Sequence, residues 1–161
     1  MSATSARSPG NKVALLDVNV LLALFDPAHT HHEIAHDWFA DNREFGWATC
    51  PLTENGFLRT AGRAGTVARA SEFVTIPTLV KHLRKFRSSA HHEFWPDDIS
   101  LLDERLFDAE FTRGHQQLTD IYLLGLAVKR GGRLVTFDKK IPLAAVKGAT
   151  RAALEVVSAI E

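Results

Sequence analysis

Residues 12–26 read KVALLDVNVLLALFD, and the order of those side chains decides the fold class. Val13, Ala14, Leu15 and Leu16 form a short, nearly continuous apolar run, the pattern of a strand covered on both faces of a parallel sheet. Asp17 ends that run abruptly. Val18 to Phe25 resumes as an apolar stretch suited to a first helix, and the Asp26-Pro27 pair turns the chain.

Toward the C-terminus, Thr30 and Glu33 have capping-box spacing, and Ile34, Ala35, Trp38 and Phe39 give a helical apolar stripe to about Asp41. Residues 45–49 (FGWAT) suit a second strand. Pro51, Leu52, Phe57 and Leu58 begin a helix ending near Gly62. Strand, helix, helix, strand, helix is the cadence of an α/β layer. The middle is less regular: a short helix is expected over Thr66 to Ser71, Thr78 is placed to cap a helix from Leu79 to Phe86, and a short strand or irregular crossing follows around Phe94 to Leu101. Leu118, Ile121, Tyr122, Leu124, Gly125, Ala127 and Val128 then make a helix with a packed face, ended by Arg130-Gly131-Gly132. Arg133 to Phe137 reads as a strand followed by Asp138, and Leu154 to Val157 as a last, marginal one. Toward the N-terminus, residues 1–11 read as a loose leader, leaving 12–161 as one expected domain.

Net charge does not select a partner, because nineteen basic residues balance nineteen acidic ones. Their distribution is uneven. Arg63 to Trp95 holds six Lys or Arg against two acids, with His82, His91 and His92 besides, whereas Asp97 to Glu110 holds six acids and one Arg. The basic stretch reads either as a solvated helical surface or as a patch facing phosphates. Cys50 is the sole cysteine, so neither an internal disulfide nor a thiolate-rich metal site can form. No apolar run has the length of a membrane span, and a soluble, cytoplasmic protein without membrane contact is expected.

Four separated acids carry the chemistry. Asp17 and Asp138 each lie just past a predicted strand, so parallel neighbouring strands would put both on the carboxyl edge of one sheet, where α/β proteins bind ligands. Glu54 and Asp120 can reach that edge from helix starts. Carboxylates gathered within a few ångströms repel, and a divalent cation or retained protons must offset the charge. Oxygen ligands favour Mg²⁺, with Mn²⁺ as a substitute, and the chemistry such a site suits is phosphodiester hydrolysis. Asn19 and Thr119 stand beside two of these acids as supporting residues or as helix caps. Thr136, two before Asp138, could face the cleft or the core.

The segments LLDVNVLLALFD (15–26), HHEIAHDWF (31–39), ATCPLTENGFLR (48–59) and QLTDIYLLGLAVKRGGRLVTFDKK (117–140) resemble the PIN domain, specifically the VapC ribonuclease toxins of bacterial toxin-antitoxin systems. The likeness runs from Lys12 to about Val157, and its most specific parts are the Asp17/Asn19 pair and the Thr-Asp plus Thr-Phe-Asp pairing at 119–120 and 136–138. It implies a PIN-like three-layer α/β/α fold around a mostly parallel sheet of about four to five strands. It also implies an Mg²⁺- or Mn²⁺-dependent endoribonuclease acting on structured RNA such as tRNA or rRNA. By position, the family's four acids match Asp17, Glu54, Asp120 and Asp138, and Arg59 matches a basic residue common after the second. A homodimer and a cognate VapB-type antitoxin are further implications.

RNA phosphates are expected at Arg59 and at some of Arg63, Arg69, Lys81, Arg84, Lys85 and Arg87, with Arg113 and His115 on the substrate side, since acids alone would repel the backbone. His32 and His36 lie four apart without a zinc-completing set and read as surface or packing residues. Leu21, Leu22, Leu24, Trp38 and Phe39 read as core, or in part as a dimer or antitoxin surface. Two other functional classes fit parts of the pattern: a non-catalytic RNA-binding adaptor on the same fold, and a phosphotransfer protein with Asp17 as nucleophile, which leaves Glu54 and Asp120 without a role.

Overall fold

The computed structural model describes residues 11–63 and 74–158. The expected helix over Thr66 to Ser71, Arg69, and all but Asn11 of the expected leader lie outside them. Five strands form one sheet, β1 (Ala14–Leu16), β2 (Trp47–Thr49), β3 (His92–Phe94), β4 (Arg133–Thr136) and β5 (Leu154–Val156). Their order is β3-β2-β1-β4-β5 and every pairing is parallel. The apolar strand that precedes Asp17 is therefore central. Ala14, Leu15 and Leu16 are all buried because both faces are covered.

Side chains alternate along β1 and sort two apolar cores. Ala14 and Leu16 join Trp47, Val135 and the inner faces of α1 (Val18–Phe25), α2 (His32–Asn42), α3 (Pro51–Ala61) and α4 (Ile76–Arg87). Leu15 points the other way and joins Ala48, Leu134, Trp95, Phe107 and the buried face of α5 (Leu118–Lys129). Three layers result. Each fully buried leucine contributes roughly 1.5–3 kcal/mol over its exposed state. Leu21, Leu22, Leu24, Trp38 and Phe39 are all buried within the chain, as the core reading required.

Local signals acted as expected at several ends. The α5 helix stops at Lys129, and Gly131 adopts φ +67°, a left-handed conformation that suits a residue without Cβ. Gly56 matters for space instead of conformation. A Cβ there would lie 2.7 Å from Val18 Cγ2, so its absence lets α3 pack directly on the start of α1.

Other ends differ from the sequence reading. α2 is capped at His31 without a side-chain hydrogen bond, so Thr30 and Glu33 form no capping box. α4 begins one turn earlier than expected, with Thr75 as its cap accepting the Thr78 N–H, so Thr78 is the third helical residue. β2 starts only at Trp47 because Gly46 sits at φ +97°, outside strand geometry. β3 covers His92–Phe94 and so ends where the short strand or crossing expected around Phe94 to Leu101 was to begin, since His92 pairs in register with Trp47. Residues 95–117 form an irregular crossing with short 3₁₀ turns and an isolated antiparallel bridge from Phe107 to Val146.

Candidate active site

Asp17 sits where β1 becomes α1. Its backbone N–H donates to the Val135 carbonyl, and its Oδ1 accepts the Val18 N–H at 2.7 Å as the helix cap. The cap role therefore belongs to Asp17, and Asn19 is exposed in the first turn of α1. Oδ2 accepts the Thr136 hydroxyl at 2.7 Å. Thr136 is wholly buried at the end of β4, next to β1, and its oxygen also accepts the Asp138 N–H at 3.1 Å. One threonine thus ties the first acid to the loop that carries the last, which settles its orientation toward the cleft. An Asx-type turn then holds Asp138, whose Oδ1 accepts the Lys140 N–H at 2.8 Å.

Asp120 arrives from the opposite layer, in the first turn of α5. Gln117 is the cap of that helix, and Thr119 is exposed beside it and does not act as the cap. Burial is the main force that lifts the Asp120 carboxyl to about 7, followed by the charges of Asp17 and Asp138 and a side-chain hydrogen bond shared with Asp138. Asp17 is raised too: burial outweighs the stabilising bonds from Thr136 and Val18, and Asp138 adds to the rise. These three carboxyls, distant in sequence, are electrostatically coupled. None has a Lys or Arg partner among the ion pairs of the described residues.

Glu54 stands one strand further along the edge and is held differently. Its Oε2 accepts the Thr49 hydroxyl at 2.6 Å and its Oε1 accepts Arg87 Nη1 at 3.3 Å. Arg87, expected at an RNA phosphate, is thus drawn onto the fourth acid, and its guanidinium also lies 4.8 Å from the Phe94 ring centre. Thr49 also meets His92 Nε2 at 2.8 Å. Burial, then the Arg87 charge, lowers the His92 imidazole to about 4, so that it is neutral at ordinary pH. Sequence reasoning placed Thr49 in a strand and counted His92 in a basic stretch, and nothing in one sequence pairs either with Glu54.

The remaining candidates lie outside this cluster of contacts. Arg59, Arg63, Lys81, Arg84, Lys85, Arg113 and His115 are exposed. His32 Nδ1 and His36 Nε2 bond the Ala23 and Leu24 carbonyls at 2.7 and 2.8 Å, satisfying acceptors left free at the end of α1. The Cys50 thiol is buried and pushed up to about 11, which leaves it unreactive as a nucleophile.

The donor set suits a hard divalent cation: every candidate ligand is a carboxylate oxygen, and the three coupled acids lack a cationic side chain. Among the described residues, no three His, Cys, Asp or Glu side chains are already drawn together at metal-binding spacing. The chemistry of the groups therefore fits a cation, and the coupled acids would have to close further to hold it.

A parallel sheet layered by helices, with acids at its carboxyl edge, defines a PIN-like α/β protein. Ribonuclease VapC44 of Mycobacterium tuberculosis is 43% identical over 138 residues, covering 86% of this chain and 94% of that protein. Ribonuclease VapC39 of the same organism is 40% identical over 136 residues, covering 84% and 95%, and Ribonuclease VapC38 is 44% identical over 126 residues, covering 78% and 85%. The crystal structure of M. tuberculosis VapC20, a sarcin-ricin loop cleaving toxin, superposes with a TM-score of 0.56 at 13% identity, covering 80% of this chain and 92% of that one, a likeness of fold. No family model matches the sequence. On the strength of the sequence relatives, the chain belongs to the VapC ribonuclease family.

Proposed function

We propose that the protein is an endoribonuclease that hydrolyses phosphodiester bonds in structured RNA, with Mg²⁺, or Mn²⁺ in its place, held by Asp17, Asp120 and Asp138 and completed by Glu54. The observation that carries this reading is the set of coupled carboxyls without a cationic partner on the carboxyl edge of the sheet. When bound, a divalent cation would supply the positive charge that offsets the acids, acidifies a water and neutralises the developing phosphorane. The chain's own residues prepare that place. Thr136 and the Val18 N–H hold Asp17 by bonds that favour its ionised form. Asp120 retains a proton near neutrality, shared toward Asp138, so the cluster avoids three full charges until they are offset.

RNA would be steered by exposed Arg59, Arg84, Lys85 and Arg113, whose charges oppose the repulsion between backbone and acids, with exposed His115 as a hydrogen-bonding contact beside them. A homodimer, a VapB-type antitoxin and a cytoplasmic setting belong to the same reading. Among the described residues no helix is long and apolar enough to cross a membrane.

The test is incubation of the purified protein with total bacterial RNA, with Mg²⁺ or Mn²⁺ against chelator and with Asp17→Asn alongside, followed by mapping of new 5′ ends. Discrete ends that need both the cation and Asp17 support hydrolysis. RNA binding without cleavage under every cation would make the protein an adaptor instead.

A further inference from the structure

Among the described residues, Glu54 differs from the other three candidate acids in having a cationic side chain on its carboxylate. Thr49 is wholly buried at the end of β2, and its hydroxyl lies 2.6 Å from Glu54 Oε2 and 2.8 Å from His92 Nε2. A hydroxyl has one proton, and an ionised carboxylate only accepts. Thr49 therefore donates to Glu54, and His92 must carry its proton on Nε2 and donate to Thr49. The imidazole is fixed in turn by the indole of Trp47, with ring centres 4.5 Å apart. Arg87, at the end of α4, completes the set by donating to Oε1, while the Phe94 ring supports the guanidinium.

The register shows what this network achieves. Leu15 pairs with Ala48, so Thr49 lies level with Leu16, directly before Asp17 on the adjacent strand. Gly56 lets α3 close on Val18, directly after Asp17. Thr49, the residue to which Glu54 is bonded, thereby lies one strand spacing, ~4.8 Å, to the side of the Asp17 strand.

We infer that Arg87, with the His92–Thr49 hydrogen-bond chain, is a positioning set that orients the Glu54 carboxylate toward the neighbouring acids, so that Arg87 acts on cleavage through Glu54 and not by touching RNA. This rests on the nuclease reading above. A positioned carboxylate matters in the transition state more than in substrate binding, so loss of Arg87 lowers kcat with little change in KM. A phosphate-contacting arginine does the reverse: its loss raises KM and reduces the salt slope of RNA binding by about one.

The experiment compares wild type, Arg87→Ala, Arg87→Lys, Glu54→Gln and the Arg87→Ala/Glu54→Gln double variant, each checked for an unchanged melting transition, with the cleaved RNA as substrate. Expected are a fall in kcat of about tenfold for Arg87→Ala, partial recovery in Arg87→Lys, and a double variant no slower than Glu54→Gln alone. RNA binding measured without turnover, in an Asp17→Asn background, should keep its salt slope when Arg87 is replaced. Multiplying losses in the double variant, a flattened salt slope, or full activity in Glu54→Gln would each overturn the inference while leaving the nuclease intact. Where wild type itself cleaves no RNA with any divalent cation, the nuclease reading has failed first and the positioning role falls with it. Thr49→Val, which removes only the hydroxyl, should match Arg87→Ala in direction, and Thr49→Ser should restore the rate.

Discussion

Two groups of charges at opposite parts of the sheet are built on contrary rules. At the carboxyl edge, Asp17, Asp120 and Asp138 repel one another, and among the described residues they have no cationic partner. At the start of β4, Arg133 is buried and partnered on several sides: Glu155 at 2.9 Å, Asn42 at 3.1 Å, and the Trp38 ring at 5.7 Å. Trp38 in turn donates its indole N–H to Glu155 at 2.7 Å. One group repels itself and would need an ion to offset its charge; the other is neutralised internally and joins α2 to the sheet. Repulsion retained in a folded protein costs stability, and its persistence at this edge supports the role proposed for it.

Substitutions at the two groups should therefore have opposite signatures. The largest effect is expected from Asp17→Asn, which should reduce RNA cleavage by roughly 10³-fold or more, about 4 kcal/mol in the barrier, while leaving cation-free stability equal or slightly higher. Thermal melting beside cleavage kinetics checks both halves, and a strongly destabilised but active variant would break the contrast. Glu155→Ala should do the reverse. Leaving a buried guanidinium without its anion costs roughly 2–4 kcal/mol, read as a lower denaturant midpoint, with cleavage per folded molecule unchanged.

A smaller effect separates the groups by ligand. Mg²⁺ or Mn²⁺ at tenfold over its dissociation constant should stabilise wild type by about 1.4 kcal/mol, a rise of roughly 3–6 °C in Tm. Asp17→Asn should lose that rise and Glu155→Ala should keep it. Equal shifts in all three would point to nonspecific ion effects.

The smallest prediction concerns the flank that holds Glu54. His92 is pushed down to about 4 by burial and by Arg87, so the folded state takes the neutral imidazole while the unfolded chain binds a proton near 6.5. Its contribution is complete above 6.5 and is lost as pH falls toward 4. Because the ring is only half-buried, about 1 kcal/mol is expected after solvent screening. His92→Gln should flatten that part of the stability curve, measured by denaturation between pH 7 and 4.

The depth to which the sequence could be read depended on the range of the interactions involved. β1, Asp17 and α1 are contiguous, and their order follows from neighbours within a few residues, although the helix cap is Asp17 and not Asn19. The same holds for the end of α5 at Gly131 and for Asp138 directly after β4. Thr136 shows the limit: alternation put it on one of two faces, and only the packing of β4 against β1 chose the one that meets Asp17. The missing capping box at Thr30 is a smaller case, since α2 is entered at His31 without a side-chain bond, whereas the early start of α4 follows a local signal, the Thr75 hydroxyl that caps it.

By itself the sequence determined a parallel α/β chain, the positions of four acids at strand ends and helix starts, and membership of a ribonuclease family. Only the tertiary structure decided which acids lack counter-charges and which one is held by a cation. Arg87 reaches Glu54 across thirty-three positions, and Thr136 reaches Asp17 across 119. The reason is physical: periodicity and capping are local and leave their mark on adjacent residues, whereas the strand order β3-β2-β1-β4-β5 alone determines which distant side chains share an edge.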